Sequence, residues 1–399
     1  MVVMFSAEES CIVSRRQPFF GMRMLKKRKS TLIAVALLLC SLNVLLYNAN
    51  KWTLEPISRR KPNLDSSSSS SSVRTSSPSG CSSKSNVVFI NTHECLNSSV
   101  TIMFQRFGLT HGLNFVLPTG EPSLHIGNPM PFRWTMVQPL ARPDLVYNML
   151  VHHVIYDRKE IAKHMPNDTI YVTILRKPSV LFESMYRRCR LQEVFKMPLE
   201  QFLQDTQSTS SLINRRVLAG RVGFNQMSFN LGLNPGFSSK MSNVQETLKG
   251  LETDFHLVMT AEKLDSSLLL LKRLLCWDVA DIAAFHVDEP TVSPTLPLSP
   301  EAASNLTSLN GFDESLYSHF SRVLDARLEE VGSAQLKSDW EHLEQARHVI
   351  MEACSSYKVP KVQGRLMDGN TCEYLRLSES EMAVLMHQHQ ALRMRRFQL

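Results

Sequence analysis

The sequence lacks the residue spacings that announce several common chemistries. Eight cysteines and thirteen histidines are present in 399 residues, yet no CxxC or Cys/His arrangement has the spacing of a zinc site, so no metal is called for. No G-x-x-x-x-G-K-[ST] run occurs, which excludes a Walker A loop. No internal repeat is visible, which excludes a solenoid. Charge of one sign is scarce outside the N-terminus. The formal net charge is +7, but residues 1–30 hold Arg15, Arg16, Arg23, Lys26, Lys27, Arg28 and Lys29 against Glu8 and Glu9, a net +5. The remaining +2 gives no basis for a nucleic-acid face.

Charge is absent altogether from "TLIAVALLLCSLNVLLY", Thr31–Tyr47. That length lies at the lower end of what spans a bilayer, roughly 17–25 residues. The run exceeds a typical signal-peptide core, and no small-x-small cleavage site comes after it. The basic cluster on its N-terminal side predicts a cytoplasmic N-terminus. Residues 1–30 then form a cytoplasmic tail, 31–47 a signal anchor, and the body is luminal. Cys11 is cytosolic and Cys40 intramembrane in this topology. Six luminal cysteines remain, Cys81, Cys95, Cys189, Cys276, Cys354 and Cys372, enough for up to three disulfides of open pairing.

Beyond the anchor, serine dominates. Residues 48–86 include seven consecutive serines, Ser66 to Ser72, with Pro56, Pro62 and Pro78 nearby. Such a segment buries too little apolar surface to fold and reads as a stem. Tether, spacer and folded domain make the layout of a single-pass type II Golgi enzyme, and equally that of a stalked adhesion or receptor protein.

From Val87 strands and helices alternate. "VVFI" (Val87–Ile90), "TIYVTIL" (Thr169–Leu175) and "FHLVMT" (Phe255–Thr260) read as strands. A helical pattern comes after each: Val100, Met103, Phe104 and Phe107 after the first, a Pro178 start after the second, and Leu264, Leu268, Leu271 and Leu275 after the third. Three strand–turn–helix units imply parallel strands in a doubly wound α/β sheet. Glu314–Gly332 reads as a clear helix. The domain is expected over 87–358, with a looser tail over 359–399 where the apolar pattern is less regular. Sequons stand at Asn97, Asn167 and Asn305, and a glycan on Asn97 would block the loop that leaves the first strand.

In an open parallel sheet, ligands bind at the carboxyl ends of strands, where helix N-termini offer free N–H groups to anions. Two segments have that position. In "NTHECLNSS" the hydroxyls of Thr92, Ser98 and Ser99 can add donors. In "TILRKPSVLFESMY" Arg176 ends a strand and Ser184 lies on the next helix; a guanidinium fork suits phosphate oxygens. Taken singly, each also reads as an ordinary polar βα turn or a solvated loop arginine.

Together the two segments resemble the nucleotide-binding elements of sulfotransferases that use 3′-phosphoadenylyl sulfate (PAPS). The closer resemblance is to the galactose 3-O-sulfotransferase family, of galactosylceramide sulfotransferase type. It is carried by "VVFINTHECLNSSVTIMFQRFG", "TILRKPSVLFESMYRR", "GFNQMSFNLGLN", "FHLVMTAEKLDSSLLLLKRLLCWDVADIAAF" and "DESLYSHF", in order, across roughly residues 86 to 335. The resemblance implies a P-loop-like sulfotransferase fold and a Golgi membrane enzyme. Such an enzyme moves a sulfuryl group from PAPS to the 3-hydroxyl of galactose on a glycolipid or glycan. It further implies that Thr92, Ser98 and Ser99 hold the 5′-phosphosulfate, Arg176 and Ser184 the 3′-phosphate, and that His93 is the base, since an imidazole titrates in the useful range. His152 and His153 of "NMLVHHVIY" are implied on the acceptor side, although Val154 stands where the family tends to have Arg.

One departure stands against this. The family's first loop carries two lysines, and this sequence has Asn91 and Glu94 there. A lysine would neutralise charge developing on the leaving phosphate oxygen. Two like charges about 4 Å apart repel by roughly 4 kcal/mol at an effective dielectric of 20. Three arrangements accommodate Glu94. It points away; another base, Lys84 or Arg106, substitutes; or the chain is an impaired homologue that serves as a luminal glycan-binding or scaffold protein.

Overall fold

The computed structural model describes residues 81–92, 98–204, 217–218, 220, 222–233, 244–285 and 298–396. The basic tail, the expected anchor and most of the stem lie outside the described residues. Among the described residues no helix is long and apolar enough to cross a membrane.

Four parallel strands form the central sheet in the order β2-β1-β3-β4: β1 Val87–Asn91, β2 Met149–Leu150, β3 Ile170–Leu175 and β4 Leu257–Thr260. Side chains alternate across it. Val87 and Phe89 with Val172, Ile174, Leu257 and Met259 enter one core; Val88 and Ile90 with Tyr171, Leu175 and Val258 enter the other. Both faces are covered, which is why these strands read as continuous apolar runs. The sequence pattern missed β2, whose two residues are too few to show a period.

Helices of eight residues or more are α1 Ser98–Thr110, α2 Pro178–Arg188, α3 Val244–Asp254, α4 Leu264–Leu275, α5 Pro300–Leu309, α6 Gly311–Val331, α7 Ser333–Ser355 and α8 Glu379–Arg396. The faces expected from spacing are the buried ones: Val100, Met103, Phe104 and Phe107 of α1, and Leu264, Leu268, Leu271 and Leu275 of α4, all pack in the first core. Burying each such side chain contributes about 1.5–3 kcal/mol. Pro178 occupies the first turn of α2, where its missing N–H costs nothing. Helix α6 sends Leu316 and Phe320 into the second core and Leu324 into the first.

Both expected ends of the domain move outward. The chain is already part of the fold at Cys81, which is disulfide-bonded to Cys276. Lys84 N–H donates to Leu275 O at 2.8 Å, and Trp277 Nε1 donates to Lys84 O at 2.8 Å. Trp277 in turn stacks on Phe107, ring centroids 3.6 Å apart. The "LLCW" block is therefore the clasp that fastens the start of the domain. At the other end, the stretch past Val359 is not loose. It contains a short hairpin, Lys361–Val362 with Arg365–Leu366, and then α8, with Met382, Ala383 and Met386 in the first core. A disulfide joins Cys354 to Cys372, and Cys189 is also disulfide-bonded.

Gln390 explains why α8 holds. Its side chain is buried, accepts from Phe115 N–H at 2.7 Å and donates to Phe115 O at 3.0 Å, completing the backbone pairing of a residue at the sheet edge. Gln390→Ala leaves both backbone groups buried and unpaired, at about 1–3 kcal/mol each. Urea unfolding is expected to show a loss of about 2–4 kcal/mol; a loss below about 1 kcal/mol would mean that α8 is not anchored there.

Candidate active site

The strand order creates the site. From β1 the chain passes to β2 on one side and then returns to β3 on the other. The connections above β1 and β3 diverge, leaving the crevice where open α/β sheets bind ligands. The register pairs Asn91 with Ile174, so Thr92 emerges beside Leu175, and Arg176 is the next residue. The two segments singled out in the sequence thus leave adjacent strands at the same level.

Each residue there has a defined setting. Thr92 is fully buried, and its hydroxyl donates to Ile174 O, tying the start of the first loop to β3. Thr173 adds a rung below, Oγ1 to Ile90 O at 2.7 Å. Asn91 is buried and its amide donates to Thr101 Oγ1 of α1 at 3.1 Å. Ser99, in the first turn of α1, is buried, and its hydroxyl has no hydrogen-bond partner among the described residues. That orphaned oxygen at a helix N-terminus beside the crevice suits an anion's acceptor oxygens. Arg176 is half-buried at the end of β3, and Ser184 is buried in the second turn of α2. His93 and Glu94 lie outside the described residues, as does the side chain of Ser98.

Around Arg176 the fold is braced. The helix Gln226–Asn230 has its second and third amides capped by Asp313 of α6, Met227 N–H and Ser228 N–H each at 2.9 Å, with the Ser228 hydroxyl donating to the same carboxylate. Reciprocally, the Asn225 side chain accepts from Phe312 N–H at 3.2 Å and Asp313 N–H at 3.1 Å, capping α6. Asn225 sits at φ 50, a left-handed position that asparagine tolerates. Asp313 was not foreseen as a structural residue. The signal available was an Asn-Gln pair beside a helix start, facing an acidic first turn in "DESLYSHF".

The two histidines past β2 are buried. His153 Nε2 lies 2.9 Å from Glu379 Oε1 of α8, and its ring is 5.1 Å from that of His125. His152 is enclosed, with neither ring nitrogen hydrogen-bonded among the described residues. Burial, with His387 and His153 nearby, pulls its pKa down to about 3. His387 lines a cleft of about 400 Å³ with Thr119, Pro122, Gln138 and Gln388. Among the described residues no cluster of histidine, cysteine and carboxylate side chains could hold a metal.

The sequence profile of galactose-3-O-sulfotransferase matches residues 11–363. The chain belongs to the galactose-3-O-sulfotransferase family. It is 32% identical over 273 residues to galactose-3-O-sulfotransferase 2 of Homo sapiens, covering 67% of this chain and 68% of that one. It is 29% identical over 303 residues to galactosylceramide sulfotransferase of Mus musculus, covering 73% and 70%. No solved structure matches.

Within this member of the family, the bases suggested as substitutes for the missing lysines are not at the crevice. Lys84 precedes β1 and lies at the opposite end of that strand from Thr92. Arg106 is buried in α1, where its Nη2 donates to the carbonyls of Ala280, Asp281 and Ala283 at 3.0, 3.0 and 3.1 Å. Desolvation lowers its pKa to about 10, with Asp281 opposing the shift. It serves as a clamp on the turn after α4. Its offer as a substitute base failed because nothing local in the sequence reveals the carbonyls that it gathers.

The clamp and the buried imidazole can each be checked. Arg106→Gln removes a buried cation from three carbonyls and is expected to destabilise the fold by about 3 kcal/mol or more, without selectively altering nucleotide binding; a thermal melt and a nucleotide titration check both. For His152, the unfolded chain takes up a proton below pH 6.5 that the folded chain refuses until about pH 3. Stability is therefore full above pH 6.5 and is lost below it, at about 1.4 kcal/mol per pH unit from this one group. His152→Leu should flatten the decline between pH 6.5 and 5 in urea unfolding; unchanged slopes would contradict a neutral buried imidazole.

Proposed function

We propose that the protein is a galactose 3-O-sulfotransferase that takes its sulfuryl group from PAPS, as a type II Golgi membrane enzyme with its folded domain in the lumen. The observation that carries this reading is that the segments beginning at Thr92 and Arg176 leave the paired strands β1 and β3 at one level. Family membership supports the reaction class, and the apolar run 31–47 supports the membrane tether.

In this reading the first loop and α1 hold the 5′-phosphosulfate. Ser99 offers an unengaged buried hydroxyl, Ser98 and the loop amides add donors, and Thr92, whose hydroxyl is spent on Ile174, keeps the loop against β3. Arg176 and Ser184 hold the 3′-phosphate. When bound, the nucleotide supplies an activated sulfuryl group. His93 takes the proton from the galactose 3-hydroxyl as that oxygen attacks. The neutral lining of the cleft beside His387 suits the hydroxyls of a galactose-terminated glycolipid or glycan. His152 and His153, assigned to the acceptor side, act behind that wall, because both are buried. No metal is required.

A second reading has its own basis in Asn91 and Glu94. With Asn91 turned to Thr101, and Lys84 and Arg106 elsewhere, neither base considered above replaces the family's loop lysines. That chain would bind nucleotide and glycan without transferring sulfate.

Calorimetry with 3′-phosphoadenosine 5′-phosphate and a transfer assay on a panel of galactosides test both. The enzyme reading expects binding, transfer, and loss of transfer by about 10²-fold or more in His93→Ala, the size of a general base's contribution. Absence of nucleotide binding would overturn the enzyme reading; binding without transfer would favour the second. Arg176→Ala is expected to weaken nucleotide binding by about tenfold or more, as for the loss of a charged hydrogen-bond donor. Glu94→Lys restores the family's charge and is expected to raise activity; a fall would mean that the loop is built around the carboxylate.

A further inference from the structure

Resting on the reading of Arg176 as the anion-binding arginine, we propose that Glu262 and Tyr317 are positioning residues through which helix α6, together with Asp313, sets the turn that carries it.

That turn is two residues long. β3 ends at Leu175 and α2 begins at Pro178, which has no N–H. Arg176 and Lys177 therefore carry the turn's two amide protons, and side chains from elsewhere in the chain accept both. Arg176 N–H donates to Met227 Sδ at 3.3 Å, and Lys177 N–H donates to Glu262 Oε1 at 2.7 Å. Each acceptor is itself fixed from α6. Met227 belongs to the short helix whose second and third amides Asp313 caps. Glu262 accepts a second bond through its other oxygen, from Tyr317 OH at 3.0 Å. The residue after Glu262 is tied to the same helix, since Lys263 pairs with Asp325. Asp313 and Tyr317 lie four residues apart, one turn of α6, and so face the same way. One helical face thus holds both ends of the turn.

The chemistry at Glu262 accounts for a carboxylate so close to an anion site. One oxygen is occupied by a backbone amide and the other by a phenol. Desolvation and the adjacent Glu262 push the Tyr317 pKa up to about 12, so the phenol remains a donor to the carboxylate. The carboxylate therefore acts as a hinge pin between α6 and the turn. Loss of either bond frees the peptide that aims the arginine, and misaimed ligands bind less well even when every group is present.

The test separates this role from general stability. The full chain and the variants Tyr317→Phe, Glu262→Ala and Glu262→Gln are titrated with 3′-phosphoadenosine 5′-phosphate and with adenosine 5′-phosphate, which lacks the 3′-phosphate. Glu262→Ala and Tyr317→Phe are expected to weaken binding of the first about fivefold to tenfold, the size of one hydrogen bond's net contribution, and of the second less than about twofold. Glu262→Gln keeps an acceptor oxygen for Lys177 N–H and is expected to recover most of the loss. If Glu262→Ala fails to fold, Tyr317→Phe, which deletes one hydroxyl, carries the test. Equal losses for both nucleotides, or none, would overturn the positioning role while leaving Arg176 in place. A wild-type chain that binds both nucleotides equally would overturn the reading of Arg176 and this role with it.

Discussion

The pairing of β1 with β3 is the constraint on which everything else rests. Five matched residue pairs, from Val87 with Ile170 to Asn91 with Ile174, bring two loops distant in sequence to one level. A slip of one residue would exchange the cores on either side, because Phe89 and Val172 would then face opposite layers. It would also carry Thr92 away from Ile174 and Arg176 away from the first loop. The register is therefore protected by the packing of both faces, and the crevice inherits its geometry from the hydrophobic core.

Much of this fold was legible in the sequence, for a physical reason. Strands buried on both sides must be apolar throughout, so Val87–Ile90, Thr169–Leu175 and Phe255–Thr260 stood out. The arrangement of Arg176 after a strand, with Pro178 close behind, was equally visible. The features that escaped depended on polar side chains with structural tasks. Gln390 completes the backbone pairing of Phe115, Arg106 gathers three carbonyls and Asp313 caps a five-residue helix. Sequence patterning assigns such residues to solvent, because nothing local reveals the partner waiting across the fold. The same holds for β2, too short to show a period, and for Cys81, which the neighbouring serines disguised as stem.

The site has an unusual division of charge. On the β3 side, Arg176 and Lys177 are held by well-made contacts from Met227 and Glu262. On the β1 side, the first loop has an asparagine turned inward and a glutamate, and no lysine. In the proposed reading, recognition of the distal phosphate rests on the braced turn and stabilisation of the leaving group on the few residues just after Thr92, so the two are separable.

The bond between Cys81 and Cys276 has a mechanical consequence. A strand at the centre of a parallel sheet is vulnerable to being drawn out lengthwise by whatever chain precedes it. Here tension arriving from upstream reaches a covalent junction six residues before Val87 and passes into the end of α4, whose leucines are rooted in the core. A pull on the chain before Cys81 is thus taken up at the end of α4, so β1 and the crevice above it are spared the load.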